Sequence, residues 1–204
     1  TKELLSDRAG SISVMDIYTG EIIAMHSSPT FDPNLFLYGI ENNKWSEIKK
    51  DPKKPLLNKT LSGLYSPGST IKPLVALSAL EHDAIRPDMK VKCSGKIEMY
   101  GHTYHCWKKK GHGYMSLKNA IKQSCDIYFY EASRLLGVDR LNFTANKFGL
   151  GKKVLGDYFP NEKSGVFPST KWKKQAIGQN WYLGETFITG IGQGYVQTNP
   201  LQLC

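Results

Sequence analysis

A serine followed three residues later by a lysine can transfer an acyl group, and Ser69-Thr70-Ile71-Lys72 has that spacing. A hydroxyl is a poor nucleophile until a base takes its proton, and a lysine held neutral by desolvation and cationic neighbours can be that base. On a helix the spacing puts both side chains on one face. The N–H groups of a helix N-terminus would also favour a developing oxyanion. Ser46-Glu47-Ile48-Lys49 has the same letters, but it reads as solvated surface in a charged, Pro-flanked loop. Gly63 to Thr70 mimics a phosphate loop. Serine stands where that motif needs its lysine, and Pro67 removes a cradling N–H, so no nucleotide site is expected.

The element that must position Ser69 is a helix. Ile71, Leu74, Val75, Leu77, Ala79 and Leu80 fit a buried helix ending near His82. Pro73 is tolerated only in a first turn, which sets the start close to Ser69. Periodicity predicts a second helical stretch over Ser116 to Leu136, capped by Gly137, and a third over Val138 to Phe148. Alternation on either side of Thr19-Gly20 reads as a strand hairpin over about 11–27. Residues 28–65, punctuated by Pro29, Pro33, Asn42, Asn43, Pro52 and Pro55, read as a long irregular connection. Thr198-Asn199-Pro200 reads as a helix start. A lone hairpin is marginal, so its sheet is expected to have strands outside these 204 residues. The grouping of elements is α+β.

Composition narrows the partners. With 40% hydrophobic and 22% charged residues the chain is globular rather than disordered. The net charge of +9 sits in runs, Lys49, Lys50, Lys53 and Lys54, then Lys108 to Lys110, then Lys171, Lys173 and Lys174, which read as solvated loops. Basic and aromatic residues do not alternate as in a nucleic-acid reader, so no nucleic-acid partner is expected. No uncharged apolar run is long enough to span a membrane, and Thr1 to Gly10 is too polar for a signal peptide. The expectation is a cytosolic protein or one whose targeting segment has been removed.

Tyr65-Ser66-Pro67-Gly68-Ser69-Thr70-Ile71-Lys72-Pro73 resembles the active-site serine segment of the penicillin-binding proteins, and Ser124-Cys125-Asp126 falls where that superfamily places its S-x-N triplet. Asp16 to Ile22, Asp32-Pro33-Asn34, and Gly192-Gln193-Gly194 through Gln202 resemble class B members, most closely the rod-shape elongation type. The similarity runs from about Gly10 to the last residue. It implies a penicillin-binding/serine β-lactamase-like transpeptidase fold, with 1–204 as a partial transpeptidase domain carrying a helical lobe over about 69–148.

The same resemblance implies a peptidoglycan D,D-transpeptidase of lateral wall elongation, acylated also by β-lactam antibiotics. Ser69 would attack the penultimate D-alanine carbonyl of a peptidoglycan stem peptide, and Lys72 would be its base. Ser124 would relay the proton to the leaving D-alanine, Asp126 would order the lysine and the substrate, and the Ser69 N–H would be one oxyanion donor. It further implies the periplasmic face of a bacterial inner membrane, with a membrane glycosyltransferase and scaffold proteins of the elongation complex as partners. Two departures stand out. Asp126 replaces the usual asparagine, as in the elongation subgroup, and the K-[ST]-G strand, with the second oxyanion donor, is expected beyond the last residue. Lys163-Ser164-Gly165 has the letters but precedes the Gly192 segment, and reads as a decoy. Alternatives are a serine β-lactamase, for which no water-activating base is evident, a penicillin-sensing receptor domain, and a zinc-organised interaction module with an accidental tetrad.

Cys93, Cys106, His112 and Cys125 form a three-thiolate, one-imidazole set suited to tetrahedral zinc, with His102 and His105 in reserve. A Cys93–Cys106 disulfide is the rival, but it leaves Cys125 odd inside the triplet. Zinc accounts for all three cysteines and is the favoured reading. It would pin Ser124 and Asp126 on either side of Cys125. Cys204 reads as a helix core residue rather than a ligand.

Overall fold

The computed structural model describes residues 2–6 and 8–204, which divide into two compact units. One unit holds the residues up to Tyr65 together with Lys153–Ser164 and Thr198–Cys204. It contains α1 (Lys2–Leu5) and the antiparallel pair β1 (Gly10–Met15) and β2 (Ile22–Ser28), with Gly10 opposite Ser28. The hairpin is where the sequence predicts it. Asp16 Oδ1 accepts from the Tyr18 and Thr19 N–H groups at 2.8 Å each, and Gly20 takes the positive φ of 74° that closes the turn.

The stretch 28–65 is less irregular than expected. It holds a 3-10 turn at Pro33–Phe36, capped by the Asp32 carboxylate, and α2 (Asn42–Lys50). The Asn42-Asn43 pair imitates a turn, and α2 buries no residue fully, so its periodicity was too weak to read. Lys163 and Ser164 serve as a strut. The Lys163 N–H donates to the Leu61 carbonyl, Asn199 Nδ2 donates to the Lys163 carbonyl, and Gln202 Nε2 donates to the Ser164 carbonyl. The decoy reading therefore fits their structural use. The expected helix start at Thr198-Asn199-Pro200 opens a 3-10 turn, Leu201–Leu203, and Cys204 is exposed rather than a core residue.

The second unit, Ser66–Lys152 with Gly165–Gln197, contains α3 (Lys72–Glu81), β3 (Lys90–Cys93), β4 (Lys96–Met99), β5 (His102–His105), β6 (Gly113–Ser116), α4 (Leu117–Lys122), α5 (Asp126–Leu136), α6 (Val138–Lys147), α7 (Thr170–Ile177) and α8 (Leu183–Gly190). Helix α5 is central, packed by α3, α6 and α8 and by β3 and β5. Val75 and Ala79 of α3, Phe129 and Ala132 of α5 and Phe187 of α8 are completely buried. Burying a valine or phenylalanine side chain contributes about 1.5–3 kcal/mol, so this packing holds α3, and the serine before it, in place.

Two predicted features need correction. The stretch 116–136 is not one helix, because the chain breaks between α4 and α5 at Gln123–Cys125, with Ser124 at a left-handed φ of 52°. The basic run at 171–174 is not a solvated loop. It lies on α7, where Lys173 is 1% exposed. Strands β3 to β6 are four residues each, too short to announce themselves by alternation, and pair as β3–β6 and β4–β5.

Candidate active site

Ser69 lies in a 3-10 turn, Gly68–Ile71, that leads directly into α3, and the Lys72 N–H donates back to the Ser69 carbonyl. The two residues are thus one turn apart, as their spacing predicts. Ser69 is exposed and its Oγ has no hydrogen-bond partner among the described residues, so the hydroxyl is open to a ligand. Lys72 differs in burial, at 2% exposed. Its Nζ reaches across to the break between α4 and α5, where it meets the Ser124 carbonyl at 2.9 Å, Ser124 Oγ at 3.0 Å and Asp126 Oδ1 at 2.6 Å. The helix break is what allows this. The strained φ of Ser124 turns both its carbonyl and its hydroxyl toward one amine, while Asp126 opens α5.

Three partners fit an ammonium, which donates three N–H bonds. They also fit a neutral amine, which donates to the two fixed acceptors and receives the Ser124 O–H on its lone pair. The site therefore accommodates both protonation states of the lysine without moving a heavy atom.

Asp126 is fully engaged by the chain itself, since its Oδ2 accepts from the Trp107 N–H at 2.9 Å. Trp107 was not among the sequence candidates. It sits in a loop after Cys106, without periodicity to mark it, and its indole Nε1 donates to the Gln123 and Ser124 carbonyls at 3.1 Å each. Asp126 and Lys72 form an ion pair.

The Gly192-Gln193-Gly194 segment has its place here. The Gly68 N–H donates to the Gly192 carbonyl at 2.9 Å, next to Ser69. A Cβ on Gly192 would collide with the Gly68 backbone, and its φ of 72° favours glycine independently.

Cys93 ends β3, Cys106 follows β5, His112 precedes β6 and Cys125 caps α5, so four elements deliver one donor each. The four ligand atoms lie within 4.8 Å of one another, with His112 Nδ1 3.5 Å from both Cys93 Sγ and Cys106 Sγ. Tetrahedral zinc, with Zn–S near 2.3 Å and Zn–N near 2.0 Å, sets sulfur and nitrogen about 3.5 Å apart, so the donors fit. Burial pushes the Cys125 thiol up to about 12 and, with the neighbouring Cys93, raises Cys106. Burial and then Lys108 hold the His112 imidazole below its ordinary value, which keeps it neutral and able to bind a metal. All four cysteines are free thiols, and His102 and His105 lie on β5 outside the cluster.

The family model described as penicillin binding protein transpeptidase domain matches residues 10–204. Among curated relatives, the peptidoglycan D,D-transpeptidase MrdA of Acinetobacter baumannii is 39% identical over 201 residues, covering 98% of this chain and 30% of that protein. Among solved structures, Pseudomonas aeruginosa PBP2 in complex with WCK 5153 is 43% identical with a TM-score of 0.93, over 99% of this chain and 46% of that one. Helicobacter pylori PBP2 in complex with MreC is 36% identical with a TM-score of 0.91, over 99% and 38%. The chain spans about a third of the length of the curated relatives it matches.

Proposed function

The chain belongs to the penicillin-binding protein transpeptidase family, and we propose that it supplies the acyl-transfer centre of a peptidoglycan D,D-transpeptidase acting in wall elongation. The observation that carries this reading is the convergence of Lys72, Ser124 and Asp126 one turn from the exposed Ser69. Ser69 Oγ attacks the penultimate D-alanine carbonyl of a stem peptide as its proton passes to Lys72. The ester bond to Ser69 forms, the D-Ala–D-Ala amide bond breaks, and the proton travels through Ser124 to the departing D-alanine nitrogen. The amine of a second stem peptide then attacks the ester and frees Ser69. A β-lactam enters the first step by the same attack and leaves its acyl group on Ser69.

The four-donor cluster is read as a structural zinc site. Cys106 precedes Trp107, whose N–H holds Asp126, and Cys125 sits between Ser124 and Asp126, so the ligands would brace both sides of the lysine's partners. The bound ion would supply charge neutralisation and rigidity, with no part in the acyl transfer itself. We further infer work with scaffold and glycosyltransferase partners at the periplasmic face of the inner membrane; the relative solved in complex with MreC, and another described in a peptidoglycan synthase complex that coordinates polymerization and crosslinking, support the partners. Among the described residues no helix is long and apolar enough to cross a membrane.

The test is incubation of the full-length protein with a labelled penicillin, followed by intact mass. A stable adduct that maps to Ser69 and disappears in Ser69→Ala is the expected result. Rapid turnover of the adduct would instead indicate a β-lactamase, and an adduct that persists in Ser69→Ala would refute the assignment.

A further inference from the structure

Away from the reacting atoms, the second unit holds a cavity of about 840 Å3 between β5, the start of α8 and the Gly194-Tyr195 segment. That is within the roughly 300–1,000 Å3 of small-ligand sites. Four tyrosines line it, Tyr100, Tyr104, Tyr182 and Tyr195, together with His102 and Glu185. Two of the four walls are fixed by packing, while Tyr100 and Tyr182 are exposed at the opening. Tyr104 is wedged edge-on against Phe187 and Tyr130 at 4.9 and 5.7 Å, and Tyr195 packs on Trp172 at 5.3 Å. The hydroxyls of Tyr100, Tyr104 and Tyr195 have no hydrogen-bond partner among the described residues.

The pocket is also electrically silent. Glu185 is paired with the buried Lys173 at 2.5 Å and accepts the Tyr182 N–H at 2.8 Å, while the lysine is enclosed by the rings of Trp181, Tyr182 and Tyr195. A stem peptide carries carboxylates and an amine that would need counter-charges, and this lining offers none unpaired. A pyranose chain suits it better. Each sugar presents an apolar C–H face to an aromatic ring and a rim of hydroxyl and amide groups to the phenol oxygens and imidazole.

Position supports the same ligand. Gly194 is two residues from Gly192, which touches the loop of Ser69, and β5 runs on through Cys106 to Trp107, which holds Asp126. The cavity edge is therefore within about 8 Å of Gly192 along the chain, and a four-residue stem peptide spans at most about 14 Å. We propose that this tyrosine-lined cavity binds the glycan strand that bears the stem peptides, holding the sugar while the peptide reaches Ser69. This rests on the transpeptidase reading.

The test uses the full-length protein and peptide-free N-acetylglucosamine oligomers carrying a photoreactive group, with crosslinks mapped by mass spectrometry. Crosslinks within 100–104 and 182–195 are expected. Tyr100→Asn, chosen because asparagine tolerates the φ of 54° at this position, and Tyr182→Ala should each weaken binding roughly fivefold or more, while Tyr158→Ala, an exposed tyrosine of the other unit, should not. Should either variant fail to fold, the crosslink map of the unaltered protein decides alone. No saturable binding, crosslinks elsewhere, or capture of free stem peptide by these residues in place of the sugar would overturn the proposal. Penicillin acylation of the unaltered protein, measured in parallel, reports separately on the transpeptidase reading.

Discussion

Asp126 is the residue on which the arrangement around Lys72 turns, because it holds two donors at once, the Lys72 amine on Oδ1 and the Trp107 N–H on Oδ2. An asparagine in its place has one acceptor oxygen and one NH2 group, so it satisfies one donor and faces the other with hydrogens. Asp126→Asn is therefore expected to cost about 1–3 kcal/mol of unfolding free energy, read from denaturant titration, and to slow penicillin acylation at least tenfold. Asp126→Ala should cost more, about 3–5 kcal/mol, since it strands a lysine that is 2% exposed without its counter-ion. Equal stability of the aspartate and asparagine proteins would show that the ion pair contributes nothing.

Elements place these residues, and here the sequence was legible in part. The i,i+3 spacing and Pro73 were enough to put Ser69 and Lys72 at the mouth of α3, since proline restricts where a helix begins. The break that turns Ser124 toward the lysine was not legible, because 116–136 is apolar at helical spacing on both sides of it and a serine at positive φ leaves no compositional mark. The cysteines stand out by type and count, yet the four-residue strands β3, β5 and β6, which hold Cys93 and flank Cys106 and His112, are invisible to a periodicity argument. Gly192 was noticed by resemblance, and its physical role is the absent Cβ. Gly192→Ala should press on the Gly68 backbone and strain a left-handed φ, lowering stability by about 1–3 kcal/mol or more and slowing acylation even though no reacting group has changed. Unchanged acylation would mean that the Ser69 loop keeps its shape without this contact. The proposed zinc site at the four-donor cluster gives a second test at the same scale. Burial raises Cys106 and takes Cys125 to about 12, so these two thiols are protonated at neutral pH and must release their protons to bind zinc. Apparent zinc affinity should rise with pH and fall at least a hundredfold from pH 8 to pH 6, measured by competition with a chromophoric chelator. Metal analysis should give one zinc per chain, and chelation should lower Tm by roughly 5–10 °C, equivalent to about 2.7 kcal/mol for a site filled at a hundred times its Kd. A metal-free protein with the same Tm would remove the structural role.

At the scale of the whole molecule, what remains is a surface of one dominant sign. The chain carries 27 Lys and Arg against 18 Asp and Glu, and the runs Lys49 to Lys54 and Lys108 to Lys110 include residues open to solvent in both units. Lys59, Lys72 and Lys173 are buried, Lys173 inside an aromatic enclosure, and count as part of the fold rather than of the field. A net charge of +9 does not select a fold, but it raises the local concentration of a polyanion and speeds its encounter. On the transpeptidase reading proposed above, the polyanion is peptidoglycan, whose stem peptides carry carboxylates. Binding of the protein to isolated sacculi should therefore weaken steeply between 0.05 and 0.5 M salt, over which the Debye length shrinks from roughly 14 to 4 Å. The tyrosine-lined cavity, proposed above to hold the glycan and having no unpaired charge, should respond differently. Affinity for peptide-free sugar oligomers is expected to change little over the same range, so co-sedimentation with sacculi and oligomer binding, titrated side by side with salt, should separate the long-range attraction from the local recognition. Parallel loss of both would assign the two to one electrostatic cause and contradict the neutral character of the cavity.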